Sequence, residues 1–383
     1  MRIGILTQPL HNNYGGILQA YALQRTLMNE QHDVLIIDRA YRDVTSYEKN
    51  VFRLKRFLLN LKNRFLKKDI LPSPFWISSE QLNQISLHTH SFVHEKINVT
   101  DKVFDNFGLL YLHKKHNFDC YIVGSDQVWR PAYSPSLYNY YLDFIKENWF
   151  VKRISYAASF GMDTWEYTKK QTTKCSKYIS LFDAVSVRED SAISLCRKYF
   201  DIEAQLVLDP TMLLEKDDYM ELVPMKDEKM HNRLFYYILD SDLKKTSIIE
   251  DIATFFNLEL FSIMPETLSQ KNLERISECV FPPVSDWLSS FIDAKCIVTD
   301  SFHGCVFSII FNKDFWVLGN PDRGMARISS LLRLFGLGDR LIKTESYLGI
   351  ENIFNNINWE EINAKRKRMQ ISSLAFLKNN LNN

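Results

Sequence analysis

His303 stands in the run Thr299-Asp300-Ser301-Phe302-His303-Gly304, between an apolar stretch that reads as a strand and one that reads as a helix. An imidazole there can give or take a proton near neutral pH. The helix N-terminus disfavours its charged form and the neighbouring Asp300 favours it. A histidine satisfied by backbone groups is the alternative, but a strand end with Asp and Ser beside it favours catalysis. Three arginines could serve the same centre. Arg323 and Arg327, in Asn320–Arg327, carry forked guanidinium donors suited to phosphate or carboxylate, as does Arg188 after Ser186-Val187. Each could equally be a surface charge, Arg188 pairing with Glu189 or Asp190.

Two further segments suit a sugar. In Gly124-Ser125-Asp126-Gln127-Val128-Trp129, Asp126 and Gln127 can meet hydroxyls, and Trp129 can cover an apolar ring face. A capped turn with Trp129 in the core is the competing reading. His11-Asn12-Asn13-Tyr14-Gly15-Gly16 joins the first strand to the first helix. Its glycines, Gly15 and Gly16, let a ligand approach the backbone, and helix N–H groups favour an anion. Asn12 and Asn13 add amides, although an ordinary turn also needs glycine. The dinucleotide pattern G-x-G-x-x-G is absent.

These segments need elements to hold them. Strands are expected at Ile3–Thr7, Val34–Ile37, Cys120–Val123, Ile154–Ala157, Ala184–Val187 and Gln205–Leu208. After a charged stretch at Glu215–Arg233 they resume at Leu234–Leu239, Glu259–Ile263, Lys295–Thr299 and Phe315–Leu318. Helices are expected at Ile17–Met28, Tyr167–Leu181, Asp190–Tyr199, Leu243–Phe256, Val284–Ala294, Gly304–Phe311 and Trp359–Leu377. Alternation of this kind builds parallel sheets covered by helices. The expected architecture is α/β: two Rossmann-like domains facing a central cleft, with ligands at the C-terminal ends of the strands. The domains would be residues 1–214 and 215–345, followed by a helical tail, 346–383.

Composition narrows the class. The chain has 383 residues, 46% hydrophobic and 24% charged, with a formal net charge of +1, which argues against a dedicated nucleic-acid binder. The N-terminus lacks the pattern of a signal peptide, and no apolar run approaches a membrane span. Cys120, Cys175, Cys196, Cys279, Cys296 and Cys305 have no CxxC spacing and fit buried thiols. A cytoplasmic protein without metal or cofactor is expected.

Taken together, Asn13–Leu23, Val123–Trp129, Ile154–Gly161, Val187–Glu189, Leu208–Thr211 and Thr299–Gly304 resemble the polysaccharide pyruvyl transferase family, in order and across residues 1 to about 340. The resemblance implies a GT-B-like fold and transfer of a pyruvyl group from phosphoenolpyruvate to sugar hydroxyls as a ketal. The acceptor would be a cell-surface glycan or its lipid-linked precursor. The family's histidine maps onto His303 and its strand-end arginine onto Arg188. Some branches have an arginine where this chain has Ser301, so Arg323 or Arg327 would replace it, or the donor differs. Donor contacts are thus assigned to Arg188, Arg323, Arg327, Gly15, Gly16 and Ser301. Acceptor contacts are assigned to Asn12, Asn13, Asp126, Gln127 and Trp129. A glycosyltransferase using a nucleotide sugar and a non-catalytic glycan-binding protein are the rival readings.

One segment stands apart. Lys49–Lys68 holds eight basic residues (Lys49, Arg53, Lys55, Arg56, Lys62, Arg64, Lys67 and Lys68) and no acidic one, leaving 39 basic and 46 acidic residues elsewhere. Val51, Leu54, Leu58, Leu61 and Phe65 recur at helical spacing, with Phe57 beside them. A basic helical insertion in the first domain is expected, either docking on the cytoplasmic face of a membrane or packing its apolar side on its own domain.

Overall fold

Parallel strands are covered on both faces, so they read as unbroken apolar runs rather than alternating ones. The computed structural model, which describes residues 1–65, 76–224, 232–320, 324–352 and 355–382, follows that rule. The first sheet contains β1 (Arg2–Leu6), β2 (Asp33–Ile36), β3 (Cys120–Val123), β4 (Lys152–Ala158), β5 (Ala184–Val187) and β6 (Gln205–Leu206) in the spatial order β2-β1-β3-β4-β5-β6. The second contains β7 (Arg233–Tyr237), β8 (Glu259–Phe261), β9 (Cys296–Thr299), β10 (Asp314–Leu318) and β11 (Leu341–Ile342) in the order β11-β10-β9-β7-β8. Neighbouring strands are parallel in both sheets. Every residue of β3 and of β9 is buried. This is the two-domain, GT-B-like α/β arrangement.

Each sheet reverses its winding once, between β1 and β3 in the first and between β7 and β9 in the second. Crossover helices leave in opposite directions at such a point and open a crevice beyond the strand ends. The two crevices face one another, and the cleft lies between them.

The expected helix Leu243–Phe256 is observed with those bounds, and most other expected elements shift by one to three residues. Unexpected were β11, at two residues too short for any period, and the helices Ser79–Ile85, Leu87–Lys96 and Asn106–His116. β6 ends the first sheet at Leu206 and β7 opens the second at Arg233, so the 214/215 boundary falls in their connection. The six cysteines are free and buried. Among the described residues, no helix is long and apolar enough to cross a membrane.

The helix Trp359–Asn382 is not a detached tail. It returns to the first domain, where Ser373 Oγ accepts from the Leu208 N–H (3.0 Å) and Lys152 Nζ donates to the Asn380 carbonyl (3.0 Å). Gln370 Nε2 donates to the Leu213 carbonyl (2.9 Å), and Arg366 pairs with Glu215 at 2.7 Å. Phe376, buried, packs on the Tyr156 ring of β4 with centroids 6.3 Å apart. Phe376→Ala is therefore expected to destabilise the protein by ~3 kcal/mol or more, as emptied core aromatic sites do. Urea unfolding measures it, and a loss under ~1 kcal/mol would show that the helix does not support the first domain.

Candidate active site

Ser301 caps the helix Phe302–Ile310 by accepting from the Gly304 N–H (3.4 Å), which places His303 in the first turn, directly after β9. The ring is buried from bulk water but lines the cleft. Its other neighbour is the start of the helix Tyr14–Asn29: a Cβ built on Gly15 would lie 2.0 Å from His303 Nδ1. Gly15 is thus needed for the close approach of two helix N-termini from different domains, and it does not face the cleft. Gly16, also buried, donates to the Asn13 side chain (3.2 Å), which is how Asn13 caps its helix.

His303 Nε2 points at Asp209, 3.7 Å from Oδ2. Asp209 is closed in by other partners. Arg188 Nη1 donates to Oδ2 at 2.7 Å, Ser125 Oγ to the same oxygen at 3.2 Å, and Thr211 Oγ1 to Oδ1 at 2.7 Å. Burial alone would raise this carboxyl, yet His303, Arg188 and Thr211 together hold it far below the ordinary carboxylate range. Arg188 Nη2 reaches Asp126 Oδ1 at 3.2 Å. Burial again raises Asp126, and Arg188, His303 and Arg327 overcome that and lower it. The Phe302 ring has the Arg188 guanidinium 4.4 Å from its centroid and that of Arg327 at 5.6 Å.

The cleft, a cavity of about 310 Å³, is lined by both domains. Gln8, Asn13, Asp126, Gln127 and Tyr133 come from the first, and Asp300, Ser301, Phe302, His303, Asn320 and Arg327 from the second. Arg327 is the Lys or Arg side chain that lines it among the described residues. Burial and, after it, the like charge of Arg188 pull the Arg327 guanidinium down to about 10, with Asp126 and Glu189 opposing. A bound anion would relieve both effects. Neither helix that points at the cleft, Tyr14–Asn29 or Phe302–Ile310, carries an acidic residue in its first turn, so no side-chain charge of its own opposes the positive end of either.

Several expectations need correcting. Trp129 is fully buried, donates its indole N–H to the Tyr140 carbonyl (3.0 Å) and stacks on Tyr141, so it is a core residue and not a sugar platform. Arg188 is neither a surface arginine nor a cleft-lining one; its charge is met by Asp209 and Asp126. Asp300, expected to act on His303, accepts from the Leu239 N–H (2.7 Å), Lys245 Nζ (2.8 Å) and Asn320 Nδ2 (3.2 Å), tying together the ends of β7, β9 and β10. Asp209 is the carboxylate facing His303. Asn12 does not line the cleft, and Arg323 lies outside the described residues. Sequence reasoning also passed over Tyr133, a half-exposed ring at the mouth under the Arg130 guanidinium (4.5 Å).

Fold and cleft define a two-domain α/β protein with a histidine and an arginine facing one interdomain cavity. A profile of the polysaccharide pyruvyl transferase family matches residues 13–323, and the chain belongs to that family. Comparison with curated protein sequences gives no match. Similar solved structures include the UDP-GlcNAc 2-epimerase from Neisseria meningitidis, at 11% identity over 98% of this chain and 99% of that chain (TM-score 0.48). MurG from Acinetobacter baumannii is 11% identical over 98% and 99% (0.43). A putative UDP-N-acetylglucosamine 2-epimerase from Listeria monocytogenes is 11% identical over 96% and 90% (0.49).

Removing Arg188 would leave two carboxylates buried without their partner. Arg188→Ala is expected to cost ~3–5 kcal/mol at neutral pH by urea unfolding. Because both carboxyls titrate low in the folded protein, their contribution is fully present above the unfolded value of ~3.9, starts to be lost below it, and is gone only once pH has fallen through the depressed folded values. The gap between variant and wild type should therefore narrow toward pH 3. Unchanged stability with weakened anion binding would return Arg188 to the ligand site.

Proposed function

We propose that the protein transfers a pyruvyl group from phosphoenolpyruvate to sugar hydroxyls, forming a ketal and releasing phosphate. The observation that carries this reading is that His303, backed by the ionised Asp209, faces the same cavity as Arg327 and two helix N-termini. Phosphoenolpyruvate is a small polyanion, and Arg327 offers it charge and forked donors while the positive ends of the two helices add to the field. His303 hands a proton to the methylene carbon, and the C=C electron pair forms the new C–H bond. A sugar hydroxyl attacks the cationic carbon that results and loses its proton. The C–O bond to phosphate then breaks and a second hydroxyl closes the ketal, so two hydroxyl protons leave, one replacing that of His303 and one accompanying phosphate. Asp209 supplies a counter-charge whenever the imidazole carries a proton, and Gly15 fixes the ring from its other side. Gln8, Asn13, Gln127 and Asn320 provide amides for hydroxyls, and Tyr133 takes the role of apolar ring surface assigned at first to Trp129. The catalysed step would belong to cell-surface polysaccharide synthesis.

Phosphoenolpyruvate at ~100 times its dissociation constant should stabilise the fold by ~2.7 kcal/mol, read as a melting shift. Arg327→Met should abolish that shift. His303→Ala should keep it while lowering phosphate release in the presence of a sugar acceptor by about 10²–10⁴-fold. A shift with UDP-sugars and none with phosphoenolpyruvate would overturn the reading in favour of a nucleotide-sugar transferase.

A further inference from the structure

A helix that packs on a domain turns its apolar stripe inward and its charges to water. The helix Ser46–Phe65 does the reverse. Tyr47, Leu54, Phe57 and Leu58 are 77%, 59%, 60% and 57% exposed. Lys49, Arg56 and Asn60, on the other side, are partly covered by the protein, as is Val51 at the edge of the stripe. Phe52, on that covered side, packs edge-on against Trp76 (5.9 Å), and the Arg53 guanidinium lies 5.3 Å from the same ring. The helix is therefore held with its apolar stripe facing away from the molecule. In the sequence the stripe continues at the same spacing through Leu61 and Phe65, and the charge through Lys62, Arg64, Lys67 and Lys68.

We propose that this helix is a docking surface for an anionic lipid bilayer, lying in the plane of the interface. Tyr47, Leu54, Phe57 and Leu58 would enter the acyl boundary, and Lys55 would meet headgroup phosphates. Charge decides against the obvious rival occupant. A second copy seated helix against helix would bring two segments of eight positive and no negative charges together. Anionic headgroups complement that charge, and acyl chains accept the apolar stripe.

The placement gives the docking a use. The insertion leaves the first domain after Asp43 and rejoins it at Ser79, where Ser79 Oγ donates to both Asp43 carboxylate oxygens at 2.7 Å. Both residues line a second cavity of about 350 Å³, whose wall shares His11 and Tyr41 with the cleft that holds His303. A bilayer against the helix would hold a membrane-bound acceptor at the rim of that second cavity. The docking itself does not depend on the identity of the donor.

Sedimentation of the full chain with vesicles tests this directly. Vesicles of phosphatidylcholine containing a quarter of phosphatidylglycerol should carry the protein down at low ionic strength, and pure phosphatidylcholine should not. Release is expected at ~1 M salt, where the Debye length is ~3 Å. Leu54→Ser with Phe57→Ser and Leu58→Ser should abolish binding, and Lys55→Gln should weaken it about fivefold. These side chains are exposed, so melting temperature and the phosphoenolpyruvate-induced shift should stay at wild-type values. Wild-type protein that remains in the supernatant with anionic vesicles overturns the proposal, as does equal binding to neutral ones. A dimer that the triple serine variant converts to monomer, seen by sedimentation velocity, would assign the face to a second copy instead.

Discussion

Arg188 holds a full positive charge where almost no water reaches it, and the geometry of the site depends on how that charge is met. Its guanidinium spans Asp209 and Asp126, so it ties together the chain leaving β3, β5 and β6. Taking three ions out of water costs several kcal/mol each, which the pairs offset only with good geometry and further hydrogen bonds. Ser125 and Thr211 provide those bonds to Asp209. The cluster also works across the domain junction, because Phe302 lies over the guanidinium and His303 faces Asp209. A residue of the second domain is thereby positioned by charges of the first.

That dependence makes the site a property of the interface rather than of either domain. Gly324 in the second domain approaches Gly161 in the first so closely that a Cβ on it would lie 2.2 Å from the Gly161 carbonyl oxygen, and its φ of +83° suits glycine. Glu189 fixes the same loop by accepting from Ser159 Oγ (3.0 Å) and the Phe160 N–H (2.9 Å). Tyr14 donates across the junction to the Pro282 carbonyl (2.8 Å), and Asp190 pairs with Arg333 at 2.8 Å. A buried cluster spanning both sheets lies behind these contacts. Rotation of one domain against the other would thus disturb the His303–Asp209 approach, because of the side chains named around that carboxylate only His303 comes from the second domain.

Much of this was legible in the sequence where burial leaves a local mark. Cys120–Val123 and Ala184–Val187 are read with the observed bounds because strands covered on both faces are plain apolar runs. The strand-end positions of Asp126, Arg188 and His303 followed from that alternation and from where parallel folds place ligands. What the sequence could not show was which way a side chain turns. Trp129 after Asp126-Gln127 is compatible with a sugar face and with a core, and the Tyr141 ring that decides it lies in another segment. Asp209 looks like a turn cap, and it is one, accepting from the Thr211 N–H at 3.1 Å. Its pairing with Arg188 and His303 is made by the fold. The basic insertion illustrates the same limit: its periodicity predicts an amphipathic helix, but only the structure shows the apolar stripe outward.

Ser301 stands where the family resemblance implies an arginine in some branches, and its surroundings suit a small polar residue. Ser301 caps its helix, a task that an arginine side chain would not perform in the same way. An arginine there would also add a third guanidinium to a region that already contains Arg188 and Arg327, the latter depressed by the former's charge. Arg327, near the start of the helix Ala326–Phe335, reaches the cleft from the next element of the same domain and shares the Phe302 ring with Arg188. The cationic group at the cavity wall is thus carried by the helix Ala326–Phe335, in the same cavity as the histidine that faces Asp209. Electrostatic complementarity to an anion depends on where charge sits and not on which element carries it, so Arg327 gives the cleft wall a cation that Ser301 does not.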